Sequence, residues 1–266
     1  MNKEKVLVIK IGGNSIDNPK ELVAFLETIA TIKTPFILVH GGGKLATDLA
    51  EKLNIPQQLI DGRRITNAET IKIATMVYAG YINKNIVALL QKNNKNSIGL
   101  SGADANLIQT TKRVHPTIDY GFVGDLHTTS INTEFIENLL NFDLTPVVNA
   151  ITHDGKGELL NTNADSIANA LAVSLASKYE VSLLYCFEKN GVLYDPSNDD
   201  SVIHELNHQQ FEELKQQGII SKGMLPKLDN CFHALQNGVQ TIAILKATLI
   251  LGFLNHTNHE YTRIIK

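Results

Sequence analysis

Short, almost continuous apolar runs alternate along this chain with stretches whose apolar residues recur every three or four positions. The runs VLVIKI (6–11), PFILVH (35–40), SIGLSG (97–102), TPVVNAI (145–151), VSLLYCF (181–187) and VQTIAIL (239–245) are apolar on both parities. That pattern predicts strands buried on both faces, whereas a half-wet strand would alternate. Between them, PKELVAFLETIATIK (19–33), KLATDLAEKLN (44–54), ADSIANALAVSLASK (164–178) and LNHQQFEELKQQG (206–218) carry apolar residues at helical spacing.

End signals agree with the periodicity. Pro19 suits a first helical turn, Asn163 an N-cap, and Gly218 and Gly238 the positions just past helix ends. A longer helix is expected from about Asn67 to Lys92, opened by a capping box of Thr66 and Glu69. Its apolar positions Ile71, Ala74, Val77, Tyr78, Tyr81, Ile82, Leu89 and Leu90 suit either a core helix or a contact between subunits. A further helix is expected from near Ser221 to Gly238. The glycine- and threonine-rich stretch Ser101–Ser130 predicts β-hairpins edging the sheet. Strands alternating with helices predict an α/β fold on a largely parallel sheet. The helix in Asn161–Lys178 lies between two strand-rich halves and is the expected seam between an N-terminal lobe (1–175) and a C-terminal lobe (176–266).

Composition narrows the function. Of 266 residues, 43% are hydrophobic and 19% charged, a globular balance, and the net charge of −3 supplies no basic field for nucleic acid or a membrane surface. An anionic ligand must therefore be held by local cations and backbone N–H groups. Cys186 and Cys231 form no C-x-x-C pair and suit a reducing compartment. No signal-peptide core precedes the first strand and no apolar run of bilayer length stands out, so a cytoplasmic location is expected. No H-E-x-x-H motif occurs among the nine histidines, so no metal site is expected.

Two early strands end in glycine turns, Lys10-Ile11-Gly12-Gly13 and His40-Gly41-Gly42-Gly43. Ligands of open α/β sheets bind beyond the carboxyl ends of the strands. Glycines there let backbone N–H groups approach an anion, and the next helix N-terminus adds a favourable dipole. Lys10 is out of place in an apolar run: unpaired and buried it would cost several kcal/mol, on the order of the penalty for a single buried ion, unless it snorkels to the strand end. Lys222 and Lys227 stand near a predicted helix start, where the dipole disfavours cations unless an anion binds. Asp165 is where a first-turn acid is favoured in any case. Arg64 suits a solvated turn or a fork for a carboxylate.

Known glycine loops fit unevenly. A Walker loop fails because Leu45 follows Lys44. An esterase oxyanion loop lacks its G-x-S-x-G elbow. Gly41-x-Gly43-x-x-Ala46 fits a dinucleotide-binding turn, with Asp61 near the ribose-acid distance, although QQLI is a poor strand to carry that acid.

In order, KIGGN (10–14), HGGG (40–43), DGRRIT (61–66), GLSGADANLI (99–108), GFVGD (121–125), NTNAD (161–165) and GIISKGMLPKL (218–228) resemble the amino acid kinase family over nearly the whole chain. The resemblance implies an open αβα sandwich, with an N-terminal lobe for the amino acid and a C-terminal lobe for the nucleotide. It implies ATP-dependent phosphorylation, with Mg²⁺, of the side-chain carboxylate of an N-acylated glutamate (acetyl or succinyl) in arginine biosynthesis. Lys10 and Lys227 fall on the family's two phosphoryl-stabilising lysines and Asp165 on the acid that orients them. Gly42, Gly43, Arg64 and Asn161 fall on substrate-binding positions, and Gly12, Gly13, Gly191, Lys222 and Gly223 on phosphate- or nucleotide-binding ones.

A carboxylate acceptor is already ionised at neutral pH, so no general base is needed. The loop YCFEKNGVLYD (185–195) departs from the family's Asp-Val-x-Gly-Val, with no acid expected directly after its strand. A homodimer insensitive to arginine is expected, since arginine-inhibited members carry an added N-terminal helix, with the long helix in its interface.

Overall fold

A computed structural model of the chain describes residues 3–60, 63–220 and 223–266. The apolar runs form one eight-stranded sheet: β1 (Lys5–Ile11), β2 (Phe36–His40), β3 (Ser97–Leu100), β4 (Thr145–Val148), β5 (Glu180–Phe187), β6 (Glu205–Leu206), β7 (Thr241–Lys246) and β8 (Thr262–Ile264). Its spatial order is β6-β8-β7-β5-β1-β2-β4-β3. From β7 to β3 every pairing is parallel, while β8 runs antiparallel to β7. β1 lies at the centre because it is apolar on both faces: Val6, Leu7, Val8, Ile9 and Ile11 are all buried. It pairs with β5 along its whole length, Lys5 opposite Glu180 through Ile11 opposite Cys186. The expected seam therefore crosses the middle of a continuous sheet.

Helices cover both faces. One layer holds α1 (Pro19–Ala30) and the end of the long helix α3 (Ala68–Lys92). The other holds α4 (Thr133–Asn141), α5 (Ala164–Leu175), α6 (His208–Gln216) and α7 (Leu225–Gln236). The remaining helix used below, α2 (Gly43–Lys52), follows directly from the HGGG turn. Gly218 (φ +72°) and Gly238 (φ +95°) take the left-handed conformation just past α6 and α7, as their sequence positions predict.

Four expectations are corrected. The cap of α3 is Asn67, whose side chain accepts from the N–H groups of Glu69 and Thr70; Thr66 instead joins its backbone to Tyr120 and Phe122. α3 is also not uniformly α-helical, because Met76–Ile82 is a π-helical stretch. Within it Val77, Tyr78 and Ile82 are buried, while Tyr81 is 67% exposed. This helix is long and apolar enough to cross a bilayer, but its buried face packs into the protein core. The Ser101–Ser130 stretch forms a separate ribbon, Thr111–Lys112 with Gly124–Asp125, and does not extend the central sheet. α7 begins at Leu225, later than expected, and Ser221 lies outside the described residues.

Candidate active site

The central strands end around one carboxylate. Lys10 is the next-to-last residue of β1, level with Val39 on β2 and Tyr185 on β5. Asp165 is the second residue of α5, whose N-cap Asn163 accepts from the Ser166 N–H at 3.0 Å. Lys227 is the third residue of α7. The Lys10 Nζ lies 2.8 Å from Asp165 Oδ1, and the Lys227 Nζ donates to Asp165 Oδ2 at 2.8 Å. Oδ1 is buried, and its ion partner is the Lys10 ammonium. Side-chain exposure is 13%, 19% and 12% for Lys10, Asp165 and Lys227.

This arrangement settles the sequence puzzle of the two displaced cations: neither snorkels out, because both hold the same acid. Lys227, at a helix start where the dipole opposes it, also sits 4.7 Å from the Tyr185 ring centroid and 5.8 Å from that of Phe187. Tyr185 donates its hydroxyl to the Asp165 carbonyl at 3.0 Å, fixing the start of α5 from below. Burial raises the Asp165 carboxyl, but the two ammonium groups outweigh it and hold the acid well below the usual carboxylate range. Burial depresses the Lys10 ammonium; Asp165 opposes that shift and Lys227 reinforces it.

Gly12 lies against the same ammonium. A Cβ there would stand 2.3 Å from Lys10 Nζ, so only glycine leaves the cation its place. Gly13 (φ +61°) faces Glu188, whose Oε2 would be 2.8 Å from an added Cβ. β5 runs on to Phe187, so Glu188 is an acid directly after the strand, and the expectation of none there is corrected.

The second glycine turn is held by a buried network. His40 Nδ1 lies 2.8 Å from the Gly41 carbonyl, and Nε2 lies 3.0 Å from Asn83 Nδ2, which also donates to the Val147 carbonyl at 2.9 Å. A carbonyl can only accept, so Nδ1 carries the proton and Nε2 accepts from the amide. Burial pushes the His40 pKa down to about 4, against the Gly41 hydrogen bond and with help from Lys10. Gly42, at φ +155°, presses on α3: a Cβ there would meet Ile82 Cδ1 at 2.2 Å and the Tyr78 ring at 3.0 Å.

Gly42, Gly43, Arg64, Asn161, Asp165, Gly223 and Lys227 all line one cleft of about 1750 Å³. Arg64 donates to the Gly43 carbonyl and to Thr47 Oγ1 at 2.8 Å each, and to Gln57 Oε1. Its fork is turned onto protein, and it offers the cleft mainly its charge. Asn161 donates to Thr66 Oγ1 at 3.1 Å. Gly191 instead packs on β8, where an added Cβ would lie 2.5 Å from Thr262 Oγ1. Lys222 and Asp61 lie outside the described residues.

Other chemistries find little here. Burial pushes both thiols up, Cys186 to about 12, so neither is a ready nucleophile. Among the described residues no three His, Cys, Asp or Glu side chains gather to hold a metal ion. Gly41-x-Gly43-x-x-Ala46 does enter α2, but Leu59–Ile60 pairs only with Arg63–Arg64 in a ribbon outside the central sheet. Among the described residues, then, no strand of the central sheet leads up to that position, as a dinucleotide site would need for its ribose acid.

His40, Asn83, Tyr185, Glu188 and Tyr78 are the neighbours that sequence reasoning missed. For His40 and Tyr185 a signal existed, a polar group inside an apolar run, as for Lys10.

The model of the amino acid kinase family matches residues 5–246. The chain is 50% identical to an acetylglutamate kinase of Cytophaga hutchinsonii, over 98% of this chain and 99% of that one. It is 45% identical to an acetylglutamate kinase of Bacteroides thetaiotaomicron, over 99% and 100%. Among solved structures it resembles carbamate kinase from Giardia lamblia bound to AMP-PNP, with a TM-score of 0.70 at 14% identity over 100% of both chains. It also resembles N-acetylglutamate synthase from Neisseria gonorrhoeae, with a TM-score of 0.81 at 20% identity over 98% of this chain and 59% of that one.

Proposed function

This chain belongs to the amino acid kinase family, and from that premise we propose that it transfers the γ-phosphoryl group of ATP to the side-chain carboxylate of N-acetyl-L-glutamate, a step of arginine biosynthesis. The observation that carries the reading is one buried carboxylate gripping two ammonium groups, one from the central strand and one from α7. Pure binding of a nucleotide would not need that arrangement. Phosphoryl transfer between two anions does.

A carboxylate oxygen of the acceptor attacks the γ-phosphorus, the bond from that phosphorus to the bridging oxygen breaks, and ADP departs with the electron pair. The product is an acyl phosphate and no proton changes hands. The obstacle is repulsion between anions and the charge spread over the phosphoryl oxygens. Lys10 and Lys227 lower both, and Asp165 holds them in position beforehand, so little reorganisation is needed at the moment of reaction. Mg²⁺ enters as part of the co-substrate MgATP.

Gly42 and Gly43 offer backbone N–H groups to the acceptor, Arg64 its charge to the α-carboxylate, and Asn161 a polar side chain to the acylated amine. Gly12, Gly13, Lys222 and Gly223 serve the nucleotide phosphates, whereas Gly191, packed on β8, is left out of that set. In this reading residues 1–175 form the acceptor half and 176–266 the nucleotide half. In the same reading the protein is a cytoplasmic homodimer that joins along α3.

The test is a coupled ADP-release assay with N-acetylglutamate, N-succinylglutamate and free glutamate. Turnover with an N-acylated acceptor and little with glutamate is expected. Lys10→Ala and Lys227→Ala should each lower turnover by orders of magnitude in a folded protein. Near-normal rates in either variant would refute the assigned roles.

A further inference from the structure

Tyr78 is a cleft residue without a task in the transfer step. It belongs to the π-helical stretch of α3 and is only 4% exposed, yet it forms part of the cleft wall. Its hydroxyl oxygen would lie 3.9 Å from a Cβ on Gly43, and Arg64 Nη2 would lie 3.7 Å from the same point. The hydroxyl and the guanidinium thus flank one spot beside the glycine turn.

Their hydrogen-bonding capacities are complementary. A guanidinium has five N–H donors and no acceptor. Arg64 gives three to Gly43, Thr47 and Gln57, and it faces the Tyr78 hydroxyl in a looser contact, with the phenolic oxygen accepting. The phenolic hydrogen then points away from Arg64. Among the hydrogen bonds of the described residues, none uses Tyr78 O–H as donor to protein. Burial drives the phenol's pKa up, against the pull of Arg64, so the group remains an O–H donor at neutral pH. A residue needed here only for volume could be phenylalanine, because the ring alone fills the space against Gly42.

We propose that the Tyr78 hydroxyl is a substrate-binding donor that hydrogen-bonds the α-carboxylate of the N-acylated glutamate, next to the charge of Arg64. This rests on the reading of the site as an N-acetylglutamate acceptor site. Arg64 supplies attraction while its fork stays engaged with protein, and Tyr78 supplies the directed hydrogen bond. Tyr78 and Ile82 both lie in the π-helical stretch and pack against Gly42, in keeping with such stretches clustering at functional sites.

The test compares wild type with Tyr78→Phe, which keeps the ring. Acceptors are N-acetylglutamate and N-acetyl-4-aminobutyrate, which lacks the α-carboxylate. The variant should raise KM for N-acetylglutamate about tenfold or more, as expected for one hydrogen bond to a charged group. KM for MgATP and kcat/KM for the truncated acceptor should stay within about twofold, a margin below the loss of one such bond. A second variant, Tyr78→Leu, should show the same selective loss. An unchanged KM for N-acetylglutamate overturns the proposal, and so does an equal loss with both acceptors, which would mark Tyr78 as a packing residue. If wild type turns over no N-acylglutamate, the reading of the site fails and the proposal with it. Turnover by wild type with an indifferent Tyr78→Phe defeats the proposal alone.

Discussion

Asp165→Asn isolates the charge of the site from its shape. The amide keeps the size of the side chain but removes the one negative charge between two ammonium groups, each 2.8 Å from it. The two cations then face each other at roughly 6 Å, and at an effective dielectric near 20 their repulsion is about 3 kcal/mol. Stripping one partner from a buried ion pair typically costs about 3–5 kcal/mol. With side-chain exposures of 19% or less, solvent screens little of this. That is a large share of the 5–15 kcal/mol by which domains are usually stable.

Lys10 also loses the attraction that opposes its depressed pKa. The variant's rate should therefore begin to fall at a lower pH than the wild-type rate does. Urea denaturation and ADP-release kinetics across pH 6–9 are the assays. Saturating MgATP should recover part of the lost stability, because its phosphates replace the missing negative charge. The reasoning is refuted if the variant keeps its urea midpoint and its turnover, or if MgATP stabilises it no more than it stabilises wild type.

Three further perturbations follow from the geometry. Gly12→Ala puts a methyl where the Lys10 ammonium sits; the flexible lysine end can yield, so turnover should fall at least tenfold while the melting temperature hardly moves, and a variant with normal kcat would show the cation's position to be uncritical. Burial lowers the His40 pKa from 6.5 to about 4 on folding, so the unfolded chain binds the extra proton; the contribution is complete well above pH 6.5 and declines as pH falls towards 4, by about 1.5 kcal/mol between pH 6.5 and 5. Urea titrations should show that slope in wild type and lose it in His40→Gln, and an equal slope in both would assign it elsewhere. Ala105 is held in the left-handed region (φ 50°, ψ 30°) on an exposed loop, so Ala105→Gly should stabilise by about 0.5–1 kcal/mol; a lowered melting temperature would contradict it.

Periodicity and end signals settled most of the sheet strands and the main helices. Runs buried on both faces became parallel strands, and helical spacing with Pro19, Asn163, Gly218 and Gly238 became helices, because both depend on which side of a local segment meets water. The three charges at the centre were also legible singly: Lys10 for standing in an apolar run, Lys227 for opposing a helix dipole, Asp165 for its first-turn place. Their union was carried by the family likeness and not by spacing, since 62 residues separate Asp165 from Lys227 and only the sheet order brings β1, α5 and α7 to one end.

Tertiary structure alone decided the rest. The π-helical stretch that turns Tyr81 outward and Tyr78 towards Gly42 and Arg64 has no local mark, because a wider turn persists only where packing across the helix compensates for it. The place of Glu188 opposite Gly13 depends on how far β5 pairs with β1, and pairing is a property of two strands. A sequence fixes which groups need a partner; their distance and direction come from the packing that brings distant segments together.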